Sequence, residues 1–200
     1  SVRVVERIER EGKGLNLTKE VKNGILCHTN MTADTLEGVI VKFADKIAYI
    51  NHDIEDAIRG GVLKQNDLPD FPVKILGATK SQRITSLVKS IIENSMDKNE
   101  IKYDETTKRA HDELREFMFQ NVYYAAETNQ EKGKACFIVE YLYNYYLENP
   151  LRMPELYRDI AREESTEIAV CDYISCMTDD FAVDRFTELC IPKSWNKTGD

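Results

Sequence analysis

The stretch "ADKIAYINHDIEDAIRGG", Ala44 to Gly61, decides how this chain is read. Its apolar residues recur at helical spacing, yet Asp45, Tyr49, His52, Asp53 and Asp56 stand among them. Aspartate is a mediocre helix former in an interior position, because its short side chain competes for the backbone. At about 100° per residue, with Asp45 as zero, Tyr49 falls near 40°, His52 near 340°, Asp53 near 80° and Asp56 near 20°. All of them share one arc of roughly 100°. The opposite face carries Leu36, Ile40, Phe43, Ile47, Ile50, Ile54 and Ile58. One side of the helix can anchor in a core, and the other is a column of carboxylates interleaved with Tyr and His. A solvated face is one reading of that column. Solvated faces, however, favour Glu, Lys and Gln, which cost less helix propensity than Asp. Short carboxylates on a rigid helix suit an ion or a polar ligand. Lys46, at the border of the stripe, offers a point charge for phosphate.

Working outward, helical periodicity dominates and strand-like alternation is scarce. A first helix covers residues 1–11 and stops before Gly12 and Gly14. A short one covers 18–27. Asp34 and Glu37 have the spacing of a capping box, and the long helix follows over 34–59, stopped by Gly60 and Gly61. Pro69, Pro72 and Gly77 make 62–79 a loop with a single turn of helix. Helices are expected over 80–97, with Ile84, Leu87, Val88, Ile91 and Ile92 on one side, and over 104–124. That second one builds its core face from Ala110, Leu114, Phe117, Met118 and Val122. Further helices follow at 129–148, at "MPELYRDIAR", at 164–178 and at 179–190. "YLYNYYLE", Tyr141 to Glu148, reads as a core helix whose tyrosine hydroxyls reach the surface, with base stacking as the sharper alternative. The fold class is all-α, an irregular multi-helix bundle.

The chain has 200 residues, 42% hydrophobic and 31% charged, enough for one domain with a real core. A net charge of −8 argues against a broad nucleic-acid footprint but leaves room for a local phosphate pocket. No apolar run approaches the roughly 18–20 residues of a membrane span. No signal peptide opens the chain. The cysteines (Cys27, Cys136, Cys171, Cys176 and Cys190) are odd in number and form no CxxC. They read as reduced thiols in a cytoplasmic protein, with no pair spaced to hold zinc.

"LEGVIVKFADKIAYINHDIEDAIRGG" closely resembles the metal-ligand helix of the HD-superfamily deoxynucleoside triphosphate triphosphohydrolases, the dGTPase-like group. "SVRVVERIE", "GLNLTKEVKNGILCHT", "ENPLRMPELYR" and "AVCDYISCMTDDFA" resemble that family too, in the expected order. The family holds its metal with a His, then a His–Asp doublet, then a distant Asp. The resemblance makes Asp45 that last ligand. It implies that Lys46 contacts phosphate, while Tyr49 and Asp53 approach the deoxyribose 3′-hydroxyl.

The chain departs from the family in one respect. The first His and the His–Asp doublet should lie upstream of the long helix, where the one histidine is His28, not followed by Asp. The dipeptides His52–Asp53 and His111–Asp112 come after Asp45 and fail the order test. Catalytic residues are therefore expected upstream of Ser1, and the chain reads as the C-terminal part of a longer protein. Residues 1–60 would be the remainder of the HD metal-site domain, and 61–200 a family-specific helical region. The implied activity is metal-dependent attack of water at the α-phosphate of a dGTP-like dNTP, giving deoxynucleoside and tripolyphosphate. The implied cofactor is a divalent metal, Mg, Mn or a related transition metal, and the implied assembly a homo-oligomer. This chain alone would bind no metal and be inactive. The competing readings are an HD-superfamily phosphohydrolase acting on another nucleotide, and a non-enzymatic helical adaptor.

Overall fold

The structure, a computed structural model, describes residues 1–124 and 126–192. It is all-α, and no strand occurs among the described residues. The helices are α1 (Lys19–Cys27), α2 (Leu36–Arg59), α3 (Asp70–Leu76), α4 (Lys80–Ser95), α5 (Glu105–Met118), α6 (Ala126–Glu148), α7 (Glu155–Glu163), α8 (Thr166–Ser175) and α9 (Asp179–Cys190). Wide π-helical turns occupy Val4–Ile8 and Phe119–Tyr123.

Several boundaries differ from the sequence reading for identifiable reasons. The cap of α2 is Thr35, whose hydroxyl accepts from Gly38 N at 3.2 Å, and not Asp34. Asp34 instead accepts from Asn23 Nδ2 at 2.7 Å, tying the loop back to α1. The stretch 62–79 holds a true helix, α3, where one turn was expected. Pro72 sits in its first turn, where no backbone donor is needed, so proline does not break it. Gly77, at φ +109°, ends that helix in a conformation only glycine adopts freely.

The chain forms two compact units, Ser1–Val2 with Asn16–Asn129, and Arg3–Leu15 with Gln130–Asp200. The first is built on α2. Ile47, Ile50, Ile54 and Ala57 are buried against Leu68, Leu76, Leu87, Ala110, Leu114 and Met118. Ile40 was expected on the same buried side but is half exposed, as are Val88 and Ile92 of α4, because none of the described residues covers those turns. Within this core lies a polar contact that periodicity could not show. Arg83 and Asn51 are both almost fully buried, and Arg83 Nε donates to Asn51 Oδ1 at 2.8 Å. Asn51 Nδ2 donates to Ile47 O at 2.8 Å, and an Arg83 NH group donates to Ala78 O at 2.8 Å. Burial lowers the Arg83 pKa, with Glu55 partly opposing it.

The second unit packs Leu142, Tyr146, Tyr157, Ile160, Val170 and Tyr173 together. Tyr146 and Tyr173 meet edge to face at 5.0 Å, and Tyr141 stacks on Tyr145 at 6.4 Å, so "YLYNYYLE" is a core helix. The N-terminal segment is held by charge. Arg3 Nε donates to the buried Asp172 at 2.9 Å, while another Arg3 NH donates to Glu164 at 2.8 Å. All five cysteines are free thiols.

The Asn51–Arg83 pair gives a stability test. Asn51→Leu leaves a buried guanidinium short of a partner and should cost about 2–4 kcal/mol in urea unfolding. Adding Arg83→Met should recover most of that loss, since it removes the buried charge and leaves an apolar pair in place of a charge-assisted hydrogen bond. Additive losses in the double variant would show that the pair is not coupled.

Candidate functional site

The apolar side of α2 is anchored in the first unit, so its rotation is set and the other side faces a cavity of about 250 Å³. From α2 the cavity is lined by Asp45, Lys46, Tyr49, Ile50 and Asp53. From α5 and the turn after it come His111, Arg115, Met118, Phe119 and Tyr123. Asp45, Lys46, Tyr49 and Asp53 are thus brought to one place. His52 and Asp56 are not. His52 Nδ1 lies 3.4 Å from Lys80 Nζ, and Asp56 pairs with Arg59 at 3.3 Å on the exposed surface. The acidic stripe is two faces, one lining a pocket and one solvated.

The pocket is ordered along both elements. At one end Lys46 lies within electrostatic reach of Arg115 and Asp112. Its pKa is lowered, first by desolvation and then by repulsion from Lys42 and Arg115. Lys46, partly desolvated, and Arg115, within electrostatic reach of it, are two cations that an anion at this end would meet together. At the other end Tyr123 Oη donates to Asp53 Oδ2. Burial, and then this hydrogen bond to a carboxylate, raise the Tyr123 pKa, so the phenol keeps its proton. Asp53 is half-buried, whereas Tyr49 is 63% exposed.

Arg115 and Tyr123 escaped the sequence reading, which weighed His111 only as half of a metal doublet and set it aside. The periodicity of 104–124 pointed to its core face and passed over the other. The available signal was their spacing: His111, Arg115, Phe119 and Tyr123 recur every fourth residue. In a regular helix such a row drifts by about 40° per step. The π-helical turn at Phe119–Tyr123, closed by Tyr124 N to Phe119 O at 3.1 Å, takes in an extra residue and offsets that drift. Tyr123 is thereby returned to the pocket.

His111 is 6% exposed and its ring lies 5.6 Å from that of Tyr103. Burial lowers its pKa. Asp112, whose carboxylate lies 3.5 Å from Nδ1, opposes this, and Lys46 and Arg115 reinforce it. The folded protein therefore binds fewer protons than the unfolded chain just below the ordinary His pKa of about 6.5. Stability should fall as pH drops through that window, and His111→Phe should flatten the decline in melting temperature between pH 7.5 and 5.5. An unchanged decline would assign it to other groups.

Asp45 is half-buried and lines a second, larger concavity as well, between α1 and α2. His28 lines that groove too, but its ring nitrogens already meet Ile25 O at 2.7 Å and Thr29 Oγ1 at 3.1 Å. Among the described residues no three of His, Cys, Asp and Glu come together as an ion site. A structural zinc-type site takes four donors. The described residues do not supply that set, and Asp45 stands as a single carboxylate. No helix among the described residues is long and apolar enough to cross a membrane.

Residues 101–188 match the Phosphohydrolase-associated domain family. They include α5, which supplies His111 and Arg115. Over the whole chain, a deoxyguanosinetriphosphate triphosphohydrolase-like protein of Clostridium perfringens (strain SM101 / Type A) is 47% identical, the match covering 96% of this chain and 59% of the relative. Proteins of the same name from Clostridium tetani (strain Massachusetts / E88) and Caldanaerobacter subterraneus subsp. tengcongensis are 44% and 45% identical. They are matched over 96% and 98% of this chain and over 59% and 58% of their own lengths. The chain thus spans less than two thirds of the length of the curated relatives it matches.

Proposed function

We propose, from the premise that this chain belongs to the deoxyguanosinetriphosphate triphosphohydrolase-like family, that it carries the substrate-holding part of a dNTP triphosphohydrolase. The reaction is hydrolysis at the α-phosphate, giving a deoxynucleoside and tripolyphosphate. One observation carries this reading. A single pocket has cations at one end, Lys46 and Arg115, and a carboxylate held by a phenol at the other, Asp53 with Tyr123. A nucleotide is polar in the same order, with phosphates followed by a sugar bearing hydroxyl donors.

In this assignment Lys46 and Arg115 hold phosphate oxygens. Arg115 can present a two-pronged donor and Lys46 a point charge. Tyr123 fixes one oxygen of Asp53 and leaves the other free to accept from a sugar hydroxyl. Tyr49, one turn before Asp53, borders the same space. Asp45 contributes one carboxylate toward a divalent ion whose other ligands the described residues do not provide, and the chain alone is expected not to turn over substrate.

The tests use a protein of the relatives' length that carries these residues. Asp45→Ala should abolish tripolyphosphate release from dGTP while leaving helicity and melting unchanged. Near-normal turnover would remove Asp45 from the site. Asp53→Asn should lower kcat/KM for dGTP about 5- to 150-fold, the equivalent of about 1–3 kcal/mol for a lost partner at a half-buried carboxylate. Tyr49→Phe should lose less, because Tyr49 is largely exposed and water can replace its contact. Both losses should shrink for a 2′,3′-dideoxy analogue. Equal losses on the two substrates would mean that neither residue reads the 3′-hydroxyl.

A further inference from the structure

His111 lines the polar pocket with part of its hydrogen-bonding capacity unused. The residue is 6% exposed, and Nε2 is buried with no hydrogen-bond partner among the described residues. Nδ1 lies 3.5 Å from the carboxylate of Asp112, the next residue on α5. That carboxylate is largely exposed, so water screens its pull on a ring proton. Tyr103, from the segment before α5, lays its ring 5.6 Å away. Burial raises the Tyr103 pKa, so its phenol stays protonated and brings no charge. Lys46 on α2, and Arg115 one turn along α5, both repel a charged imidazole and line the same cavity of about 250 Å³. The Arg115 guanidinium is held over the Phe119 ring at 4.7 Å. Asp45 lines the cavity too, while Asp53 and Tyr123 at the other end are hydrogen-bonded to each other.

The imidazole thus stands between opposed influences. Protonating it buries a charge in the field of two cations, with one exposed carboxylate to compensate, so the neutral ring is favoured. An anion at this end reverses the balance. It offsets the charge of Lys46 and Arg115, removes their repulsion of an imidazolium, and adds an attraction of its own. Asp112 already stands at Nδ1 to accept from the charged ring. Arginine keeps its proton at any ordinary pH, whereas histidine changes charge near neutrality. His111 is therefore the group at this end that can answer an anion by gaining charge.

We propose that His111 makes the pocket a proton-linked anion site: a polyphosphate seated on Lys46 and Arg115 draws one proton from solvent onto the His111 imidazole, and a fall in pH tightens the hold on the polyphosphate in return. The inference rests on the reading of Lys46 and Arg115 as phosphate-holding residues. In the proposed reaction it would make tripolyphosphate leave more readily as pH rises.

The chain has three histidines, His28, His52 and His111, so each imidazole can be followed by NMR, with His111→Phe as the assignment. The titration midpoint of His111 would be measured without and with saturating inorganic tripolyphosphate, with circular dichroism checking the fold at each pH. The midpoint should rise by about one pH unit, at the low end of what a neighbouring opposite charge produces. His28 and His52, which do not line this pocket, should move far less. Tripolyphosphate should bind roughly tenfold more tightly below the His111 midpoint than above it, once the pH dependence that remains in His111→Phe is subtracted. Lys46→Gln should raise the midpoint of the free protein, since one repelling cation is gone, and should shrink the response to the anion.

Tripolyphosphate that binds, and binds more weakly to Lys46→Gln, while the His111 midpoint stays where it was would overturn the proton link and leave the phosphate-holding reading intact. Failure of tripolyphosphate to bind at all would overturn both. Hydrolysis of dGTP by the protein of the relatives' length is read separately. No hydrolysis, together with a His111 midpoint that answers tripolyphosphate, would uphold the link and remove the proposed activity.

Discussion

Burial of one side of α2 is the constraint on which the first unit depends. Ile47, Ile50, Ile54 and Ala57 lock that helix into the core, and Ile54 is wholly excluded from solvent. Because a helix is rigid, fixing one face fixes the direction of every other. Asp45, Tyr49 and Asp53 look into a pocket because the isoleucines cannot look anywhere but inward. The buried Asn51–Arg83 contact adds register to what hydrophobic burial leaves loose. Greasy side chains tolerate sliding, whereas a guanidinium that must meet an amide oxygen at 2.8 Å does not.

The pocket needs two helices, and its chemistry arises from their pairing. The α2 stripe alone is mostly acidic and would repel a polyphosphate. Arg115, arriving from α5, lines the pocket within electrostatic reach of Lys46 and adds a second cation to it. At the other end Tyr123 donates to one oxygen of Asp53 and holds that carboxylate in place. A wide turn in the backbone between Phe119 and Tyr123 makes that second contact possible. The alternation of charge along the cavity is therefore a tertiary property, built from two sequences that are each unremarkable in isolation.

The second unit uses a different device. Its core is a chain of tyrosines in ring contact, Tyr146 edge-on to Tyr173 and Tyr157 tilted against it, and its N-terminal segment is pinned by Arg3 between Asp172 and Glu164. Asp172 is buried, so Arg3 neutralises a charge that would otherwise be costly to keep out of water. The sequence "SVRVVERIE" could be read as helical, but its helix closes as a π turn at Val4–Ile8 and reverses through Arg10 and Glu11 at positive φ. That reversal has no signature in apolar spacing. It continues through Gly12 and Gly14, also at positive φ, the two glycines at which the sequence places the helix stop.

The sequence by itself determined the all-α class, the place of nearly every helix, the division of α2 into apolar and polar sides, and the family. Each follows from local periodicity, from end signals within a few residues, or from an ordered set of motifs, so each can be read along the chain. It also grouped Asp45, Tyr49 and Asp53, since they are neighbours on one helix. It could not separate them from His52 and Asp56, which share the arc but turn to Lys80 and Arg59 instead. It gave no sign that Ile40 and Val41 stay uncovered, because exposure depends on whether another element lies above a residue. Only the tertiary structure brought Arg115 and Tyr123 to the pocket, buried Arg83 on Asn51 and opened the groove beside Asp45. Those contacts join positions tens of residues apart, and no short-range pattern encodes which distant side chain a given one will meet.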